Sequence, residues 1–193
     1  MRELQDILDI ISGHSFRGSV KDLPSGKVCV VQMRDVDETW GVDWGSAAKT
    51  NLAGKREPHY LQPGDVLLLA RGSRNHAVHL EEVPCQAVCS PHFFLLRVKP
   101  GAGLLPAFLA WQLNQAPAQQ YFETAAEGSW QRSIRKPLLA ALPLVVPTMA
   151  RQAQVAALAR LARQEAETYR QLMDNRQRML DAIAQDVLTG KRM

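Results

Sequence analysis

The stretch "RGSRNHA" (residues 71–77) follows a short apolar run and is dense in side chains that form directional hydrogen bonds. It contains Arg71, Ser73, Arg74, Asn75 and His76. Arginine binds guanine through two hydrogen bonds in the DNA major groove, and asparagine binds adenine in the same way. Presented on a glycine loop at the end of a buried strand, these side chains predict a reader of DNA bases. The alternative for Arg71 is an ion pair with a carboxylate at the edge of the core.

Three further segments combine basic, amide and aromatic side chains: "SGHSFRGSVK", "KTNLAGKREPHY" and "GSWQRSIRK". Phosphate contacts supply much of the affinity of DNA-binding proteins, and a few base contacts supply the specificity. The net charge of +4 fits a polyanionic partner, although many proteins this basic bind no nucleic acid. The predicted DNA-binding residues are Arg17, Lys21, Lys49, Asn51, Arg56, Arg71, Ser73, Arg74, Asn75, His76, Trp130, Gln131, Arg132, Arg135 and Lys136.

The residues offer no constellation for catalysis. The sequence has no GxGxxG, P-loop, GxSxG or HExxH motif. The acidic clusters "DVDE" (35–38) and "EE" (81–82) lack the nearby Glu-x-Lys that a nuclease metal site needs, and such pairs are usually solvated or capping. We therefore predict no catalytic residue, no metal ion and no cofactor bound to this chain.

The three cysteines raise the question of a metal site or a disulfide. Cys85 and Cys89 lie between His79 and His92, but the Cys-x3-Cys-x2-His spacing matches no common zinc site. Small apolar core residues are the alternative interpretation. An odd cysteine count and a first segment, "MRELQDILDI", that does not resemble an export signal predict reduced thiols and a cytoplasmic protein. No apolar run approaches the roughly 20 residues that span a bilayer.

A mixed α/β domain is predicted for residues 1–147. Short apolar runs separated by turn residues predict an element over Leu4–Ile11 and strands over Val28–Met33, Val66–Ala70 and His92–Val98. One or two short helices with a break near Pro117 follow, then an extended, irregular proline-rich stretch at 133–147. Residues 34–60 are predicted to be a long polar loop.

One long helix is predicted for residues 148–193. The pattern is helical from Thr148, a predicted N-cap, to Leu188, and Gly190 is a natural stop. A helix of that length cannot bury its whole apolar stripe against a domain of this size, so the stripe predicts a partner helix. A hairpin folded back over the domain is the alternative, although 165–178 contains no Gly or Pro. The predicted partner contacts are Val155, Leu158, Ala162, Tyr169, Met173, Leu180, Ile183 and Val187.

The order of these segments resembles the specificity subunits of type I restriction-modification systems. The resemblance rests on "LQDILDIISGHSF", "LQPGDVLLLARGS", "FFLLRVKP", "LLPAFLAWQLN", "EGSWQRSIRKPLLAALPLVVP" and the closing "DAIAQDVLTGK", and it covers nearly the whole chain. Members end the recognition domain in an apolar-proline strand and place a glutamine early in the long helix. Val146, Pro147 and Gln152 match those positions.

The resemblance implies a non-catalytic, sequence-specific DNA-binding subunit with one target recognition domain. Its helix pairs as an antiparallel coiled coil and docks a methyltransferase subunit, which binds S-adenosylmethionine, and a restriction-translocase subunit completes the complex. Full-length members carry two recognition domains, whereas this chain has one, which implies a homodimer that reads an interrupted palindrome. A stand-alone DNA-binding regulator, an antirestriction protein and a protein–protein adaptor remain as alternatives.

Overall fold

The computed structural model describes residues 2–37, 41–52, 57–71, 75–125 and 133–189. Short strands and helices alternate in the first part of the chain, and a single helix of 41 residues follows. The elements are β1 (Arg2–Glu3), α1 (Leu4–Ile7), β2 (Leu8–Ser12), β3 (Val28–Val31), a 3-10 turn (Met33–Asp35), β4 (Val36–Asp37), β5 (Gly41–Val42), β6 (Ala48–Thr50), β7 (Val66–Leu69), β8 (Ala77–His79), β9 (Ala87–Cys89), β10 (Phe93–Val98), α2 (Pro106–Leu113), α3 (Ala116–Ala125), α4 (Lys136–Ala140), β11 (Pro143–Leu144) and α5 (Met149–Thr189).

Strand β7 lies inside a four-stranded sheet of order β2-β10-β7-β8, in which all neighbours are antiparallel. Its four residues are all buried, because successive side chains point to opposite faces and both faces are covered. Val66 and Leu68 pack with the apolar side chains of α1–α4, whereas Leu67 and Leu69 pack with those of a second sheet. This double coverage explains the continuous apolar run in the sequence.

The second sheet has three strands in the order β6-β3-β9. Strands β3 and β9 are parallel, and β6 is antiparallel to β3. Cys29 and Val31 face the four-stranded sheet, and Val28 and Val30 form a smaller cluster on the other face. The domain therefore consists of helices, a four-stranded sheet and a three-stranded sheet, as the predicted mixed α/β class requires.

The strands predicted from apolar runs are confirmed at β3, β7 and β10. Two predictions were wrong. Residues 34–60 were expected to be a loop, but β4, β5 and β6 begin there. The stretch at 133–147 was expected to be irregular throughout, but Pro137 lies in the first turn of α4, where proline needs no amide hydrogen and its fixed φ suits the helix.

The start of α5 is held to the preceding domain by a buried glutamine. Gln152 is fully buried, and its Nε2 atom donates to the carbonyl oxygens of Gly103 and Pro147, both at 2.8 Å. Its Oε1 atom accepts from the backbone amide of Leu105 at 2.8 Å. The structure thus gives a physical reason for a glutamine at this position: one side chain satisfies three backbone groups that would otherwise lack partners.

The chain divides into two compact units, Met1–Ala156 and Ala157–Met193. Within the second unit α5 continues without a break to Thr189, so the hairpin alternative was wrong. At the helix start, the Thr148 hydroxyl accepts from the amide of Arg151 at 3.4 Å, as an N-cap does. The 41 residues of α5 correspond to a helix about 60 Å long.

The cysteines differ from the prediction of three reduced thiols. Cys29 and Cys85 form a disulfide between β3 and the segment before β9, and Cys89 is a buried free thiol. Burial raises the pKa of the Cys89 thiol to about 12. In the part of the chain that the structure describes, no helix combines the length and apolar character of a membrane span.

Candidate nucleic-acid interface

One end of the two sheets collects the ends of five strands. The C-terminal ends of β2 and β7 lie beside the N-terminal end of β10, because both strands run antiparallel to it. The parallel strands β3 and β9 also end together. At this edge the amide of Gly13 donates to Phe93 O at 3.0 Å, and the amide of His14 donates to Cys89 O at 2.8 Å. Residues distant in sequence therefore meet at a common edge.

A tight turn, Ser90–Pro91–His92, lies in the middle of this edge. The amide of Phe93 donates to Ser90 O at 3.1 Å, which closes the turn. On one side, the amide of Ser90 donates to Val31 O at 2.9 Å. On the other side, the amide of Ala70 donates to His92 O at 2.8 Å. The turn thus joins the last residue of β3 to the residue after β7.

Gly13 allows this arrangement because the backbone of the turn comes very close to it. A Cβ atom at residue 13 would lie 2.0 Å from Ser90 O, far inside van der Waals contact. A side chain at this position would push β2 away from the turn. Glycine is therefore required here by close approach rather than by its φ angle.

The edge contains buried polar atoms that the protein itself does not satisfy. Gln32 Nε2, Ser90 Oγ and His92 Nδ1 have no hydrogen-bond partner among the described residues. Ser90 is 3% exposed, and Gln32 and His92 are half-buried. A buried polar group without a partner costs about 1–3 kcal/mol. We call the surface formed by His14, Gln32, Arg71, Ser90 and His92 the strand-end face.

Two of the predicted DNA-binding segments meet beside this face. Arg71 forms an isolated β-bridge with Ser133, and the amide of Ile134 donates to Ala70 O at 2.9 Å. Arg71 is exposed. The bridge brings the segment that carries Arg135 and Lys136, both exposed at the start of α4, next to the end of β7. The fold thus joins "RGSRNHA" and "GSWQRSIRK", which the sequence separates by more than fifty residues.

The residues that follow "SGHSFRGSVK" contact the segment "KTNLAGKREPHY", but farther from the turn. The amide of Lys49 donates to Asp22 Oδ1 at 3.0 Å, and the amide of Lys27 donates to Asn51 Oδ1 at 3.3 Å. Lys49 lies on β6 and Asn51 follows it; β6 is the edge strand on the opposite side of β3 from β9. Arg17 and Lys21 are exposed on the segment that leads from His14 to Asp22. Lys49 and Asn51 are therefore separated from the strand-end face.

Asn75 has a structural role instead of the predicted base contact. It is 7% exposed, and its Nδ2 atom donates to Leu69 O at 2.9 Å. The backbone carbonyl oxygen of Asn75 accepts from Gln119 Nε2 at 2.6 Å. The side chain is buried and its donor bonds the backbone of Leu69, so in this structure Asn75 ties the start of β8 to the end of β7. His76 is half-buried.

Several predicted residues lie outside the described residues. These are Arg56, Ser73, Arg74, Trp130, Gln131 and Arg132.

Asp65 lies in the "PGD" turn at the N-terminal end of β7, opposite to the strand-end face. Its carboxylate accepts from Arg97 Nε and Nη2, each at 2.8 Å, and from the amide of Gln62 at 2.7 Å. Asp65 is 1% exposed. The hydrogen bond to Asp65 raises the pKa of Arg97. Asp65 therefore both caps its own turn, through the amide of Gln62, and pairs with Arg97.

The possible zinc site at Cys85 and Cys89 is not assembled. Cys85 is bonded to Cys29, and within the described residues no group of three or more His, Cys, Asp or Glu side chains is placed to hold a metal ion.

The predicted partner-helix residues are exposed along α5, apart from the first. Val155 packs against the main core of the domain. Leu158, Tyr169, Met173, Leu180, Ile183 and Val187 are all at least half exposed, between 50% and 73%, and Ala162 is exposed. Such a continuous exposed apolar stripe is unusual on a surface that faces only water.

Sequence reasoning missed Gln32, Ser90 and His14 as neighbours of Arg71, and treated His92 only as a possible metal ligand. Gln32, Ser90 and His92 each stand one residue from the end of an observed strand, and His14 stands two residues from one, whereas the predicted strand bounds included Gln32 and His92. Which strand ends share an edge depends on sheet order and direction, and a single sequence does not reveal these.

No protein-family model and no curated protein matches this sequence. Two solved structures are similar in fold. One is the S subunit of a type I restriction-modification system from M. genitalium, with a TM-score of 0.65 and 15% identity over 99% of this chain and 46% of that one. The other is the HsdS subunit from Thermoanaerobacter tengcongensis, with a TM-score of 0.64 and 17% identity over 97% of this chain and 43% of that one.

The chain thus spans less than half the length of the solved structures it matches. The similarity includes both the mixed domain and the long helix, because nearly all of this chain is aligned. This chain has the fold of these S subunits of type I restriction-modification systems, with one mixed α/β domain and one long helix.

Proposed function

We propose that this chain is a non-catalytic, sequence-specific DNA-binding subunit of a type I restriction-modification system. It reads one half-site of a bipartite DNA target with the strand-end face and acts in the cytoplasm. The single observation that carries the proposal is the convergence of Arg71 and the Arg135–Lys136 segment on a turn whose buried polar atoms have no partner among the described residues. The S-subunit fold supports the same assignment.

The chemistry of the strand-end face suits the edges of DNA bases. Arginine, histidine, glutamine and serine are all able to hydrogen-bond base edges in the major groove. Since Ser90 Oγ and His92 Nδ1 are buried in the free protein, a base edge reaches them only if the turn side chains rotate outward. Such a rotation breaks no hydrogen bond between these two atoms and the described residues, and it lets DNA supply the bond that each atom lacks.

The partner assignments follow from the same proposal. A methyltransferase subunit docks on α5 and binds S-adenosylmethionine, and a restriction-translocase subunit joins the complex. A second copy of this chain supplies the second half-site, so the target is an interrupted palindrome. The exposed apolar stripe of α5 supports a helical partner.

Selection of DNA from a random library by the purified chain with its methyltransferase tests the proposal. We expect one enriched interrupted palindrome and an affinity that falls steeply with salt, because phosphate contacts release counterions. Arg71→Ala should weaken binding to the selected site by about 1–3 kcal/mol and leave the fold intact.

Arg151→Ala is the matched control, because Arg151 is equally exposed but lies on the first turn of α5. It removes the same charge, so it should leave the selected sequence unchanged and alter affinity only slightly. Equal losses in both variants would indicate a nonspecific charge effect. A library without enrichment, at any salt concentration, would favour a protein–protein adaptor.

Leu180→Glu combined with Ile183→Glu tests the helix assignment. Both side chains are about half exposed, at 50% and 51%, so glutamates do not disturb a core. We expect monomers that no longer bind the palindrome tightly, measured by light scattering and DNA titration. A stand-alone regulator would form the same dimer but ignore the methyltransferase, which co-purification reveals.

A further inference from the structure

The 3-10 turn that follows β3 holds two exposed side chains between two fixed residues. Met33 is 42% exposed and the Arg34 side chain is 67% exposed, whereas Asp35 is buried. The turn begins at Gln32, a residue of the strand-end face, and Arg34 lies two positions farther along the chain. Two residues of a 3-10 helix advance only about 4 Å along its axis, so the backbone of Arg34 lies beside that face.

A buried carboxylate keeps this turn in one conformation. Asp35 Oδ2 accepts from the amide of Gln32 at 2.9 Å, and Asp35 Oδ1 accepts from the Ser46 hydroxyl at 3.2 Å. The backbone amide of Asp35 donates to Gln32 O at 3.0 Å, and its carbonyl oxygen accepts from the amide of Asp43 at 2.8 Å. Hydrogen bonds on both its side chain and its backbone therefore fix the residue that follows Arg34.

Arg34 forms an ion pair with this fixed carboxylate. The distance from Arg34 Nε to Asp35 Oδ1 is 3.4 Å. An arginine carries five N–H donors in one rigid plane, and four of them belong to the two terminal nitrogens. The ion pair holds the guanidinium at its Nε edge, while 67% of the side chain is exposed. The turn thus presents an oriented arginine beside the strand-end face.

We propose that Arg34 is a specificity-determining residue that binds a guanine base of the DNA half-site, with Asp35 as its positioning residue. The inference rests on the proposed DNA-binding function and adds one contact and the base that it selects. Arginine binds O6 and N7 of guanine with two hydrogen bonds in the major groove. Such a two-bond contact needs a guanidinium plane of fixed direction, which Asp35 supplies.

A phosphate contact is the alternative DNA-binding role for an exposed arginine. Phosphate contacts depend on positive charge, because they neutralise the DNA backbone and release its counterions. The Asp35 carboxylate, 3.4 Å from Arg34 Nε, offsets that charge and so weakens the attraction to phosphate. Guanine O6 and N7 are uncharged acceptors, so the carboxylate weakens a guanine contact less. Charge and orientation together favour a base over a phosphate.

Charge balance for the buried Asp35 is an explanation that needs no DNA. A buried carboxylate is costly unless a cation and hydrogen bonds compensate it, and Arg34 lies within ion-pair distance. If this were its only role, replacing Arg34 would weaken binding to every DNA sequence alike. An ion pair with an arginine this exposed contributes little to stability, however. Base preference therefore has to be measured together with affinity.

Selection of DNA from a random library, by the chain with its methyltransferase subunit, tests the guanine contact. Arg34→Ala should lower the preference for guanine at one position of each half-site about tenfold and leave the other positions unchanged. Arg34→Gln should shift the preference at that same position toward adenine, because glutamine binds N6 and N7 of adenine. Arg151→Ala, the exposed control on α5, should leave every position unchanged.

The salt dependence of affinity separates a base contact from a phosphate contact. Loss of one phosphate contact reduces the slope of log affinity against log salt concentration by about 1, whereas loss of a base contact leaves the slope unchanged. We expect an unchanged slope for Arg34→Ala. A slope reduced by about 1, with base preferences as in the natural chain, would assign Arg34 to a phosphate and overturn the inference.

Asp35→Asn tests the positioning role. Asparagine keeps an acceptor oxygen in the turn but removes the charge that faces Arg34. The preference for guanine should fall, while binding to unrelated DNA should rise because the charge of Arg34 is no longer offset. A parallel fall in both would indicate a purely structural role for Asp35. Arg34 is exposed, so its own variants test the guanine contact even if Asp35→Asn does not fold.

The outcomes separate this inference from the proposed function. Enrichment of the same DNA sequence by the natural chain, Arg34→Ala and Arg34→Gln would overturn the guanine contact and leave the DNA-binding function standing. No enrichment by the natural chain would overturn both.

Discussion

Two groups of buried polar side chains in this molecule have opposite hydrogen-bonding states. Gln152 and Asp65 are at most 1% exposed, and each makes three or more hydrogen bonds to the protein. Ser90 is almost as buried, at 3%, yet its hydroxyl has no partner among the described residues, and the same holds for His92 Nδ1. The first group lies at joints between elements, and the second at the shared edge of two sheets.

This difference teaches how to separate structural from functional polar residues. A satisfied buried group stabilises the fold, and removing it leaves its former partners without hydrogen bonds. An unsatisfied one destabilises the free protein slightly, and it is retained where an external partner supplies the missing bond. If the comparison is right, substitutions in the two groups should have opposite effects on stability and on DNA binding.

Gln152→Ala should have the largest effect. It leaves two carbonyl oxygens and one amide without partners and opens a cavity, so the free energy of unfolding should fall by about 3 kcal/mol. Urea denaturation measures the change. Gln154→Ala is the control, because Gln154 is exposed two positions along the same helix, and it should change stability by less than about 0.5 kcal/mol. Equal effects would show that the buried hydrogen bonds are not what stabilises this joint.

Asp65→Asn should cost about 2 kcal/mol of unfolding free energy, since it removes the charge that Arg97 faces near the core. The Arg97 side chain is 30% exposed, which moderates the loss through solvent screening. Asp6→Asn serves as the control because Asp6 is exposed on α1. Thermal unfolding of the two variants side by side measures the difference in stability. Equal losses of stability in Asp65→Asn and Asp6→Asn would contradict the expectation.

Cys89 provides a smaller, pH-dependent effect. Its pKa is raised from 9.0 to about 12 by burial, so the unfolded chain releases the proton first as the pH rises. The stabilisation of the folded state by this neutral buried thiol is complete below pH 9 and is lost as the pH rises from 9 to about 12. Between pH 9 and pH 10 the free energy of unfolding should fall by roughly 1 kcal/mol from this group. Cys89→Ala should lack that part of the slope; an unchanged slope would assign it to other groups.

Ser90→Ala should have the smallest effect on stability and so sharpens the comparison most. No hydrogen bond of its hydroxyl is lost, and the free energy of unfolding should stay within about 0.5 kcal/mol of the natural chain or rise. Binding to the selected DNA site should nevertheless weaken by about 1 kcal/mol. A variant that unfolds easily but binds DNA normally would place Ser90 in the structural group.

The sequence predicts the parts of this fold that depend on local patterns. The β-branched and leucine runs at β3, β7 and β10 specify buried strands, and the helical apolar stripe over 155–187 specifies α5. The structural role of Asn75 was not predictable, because burial of a polar side chain depends on which backbone carbonyl it meets. The strand-end face was not predictable either, since its residues span 14–92 and meet only through sheet order.

On the proposed function, the strand-end face also separates the residues that read DNA from the residues that form the core. Gln32, Arg71 and His92 each lie next to a strand end, one position beyond β3, two beyond β7 and one before β10, while the apolar residues inside those strands form the cores. None of the three side chains belongs to the buried apolar clusters of the sheets, although Gln32 caps the 3-10 turn at Met33–Asp35. A library randomised there should yield mostly folded proteins, among which new DNA sequences are read by an unchanged scaffold.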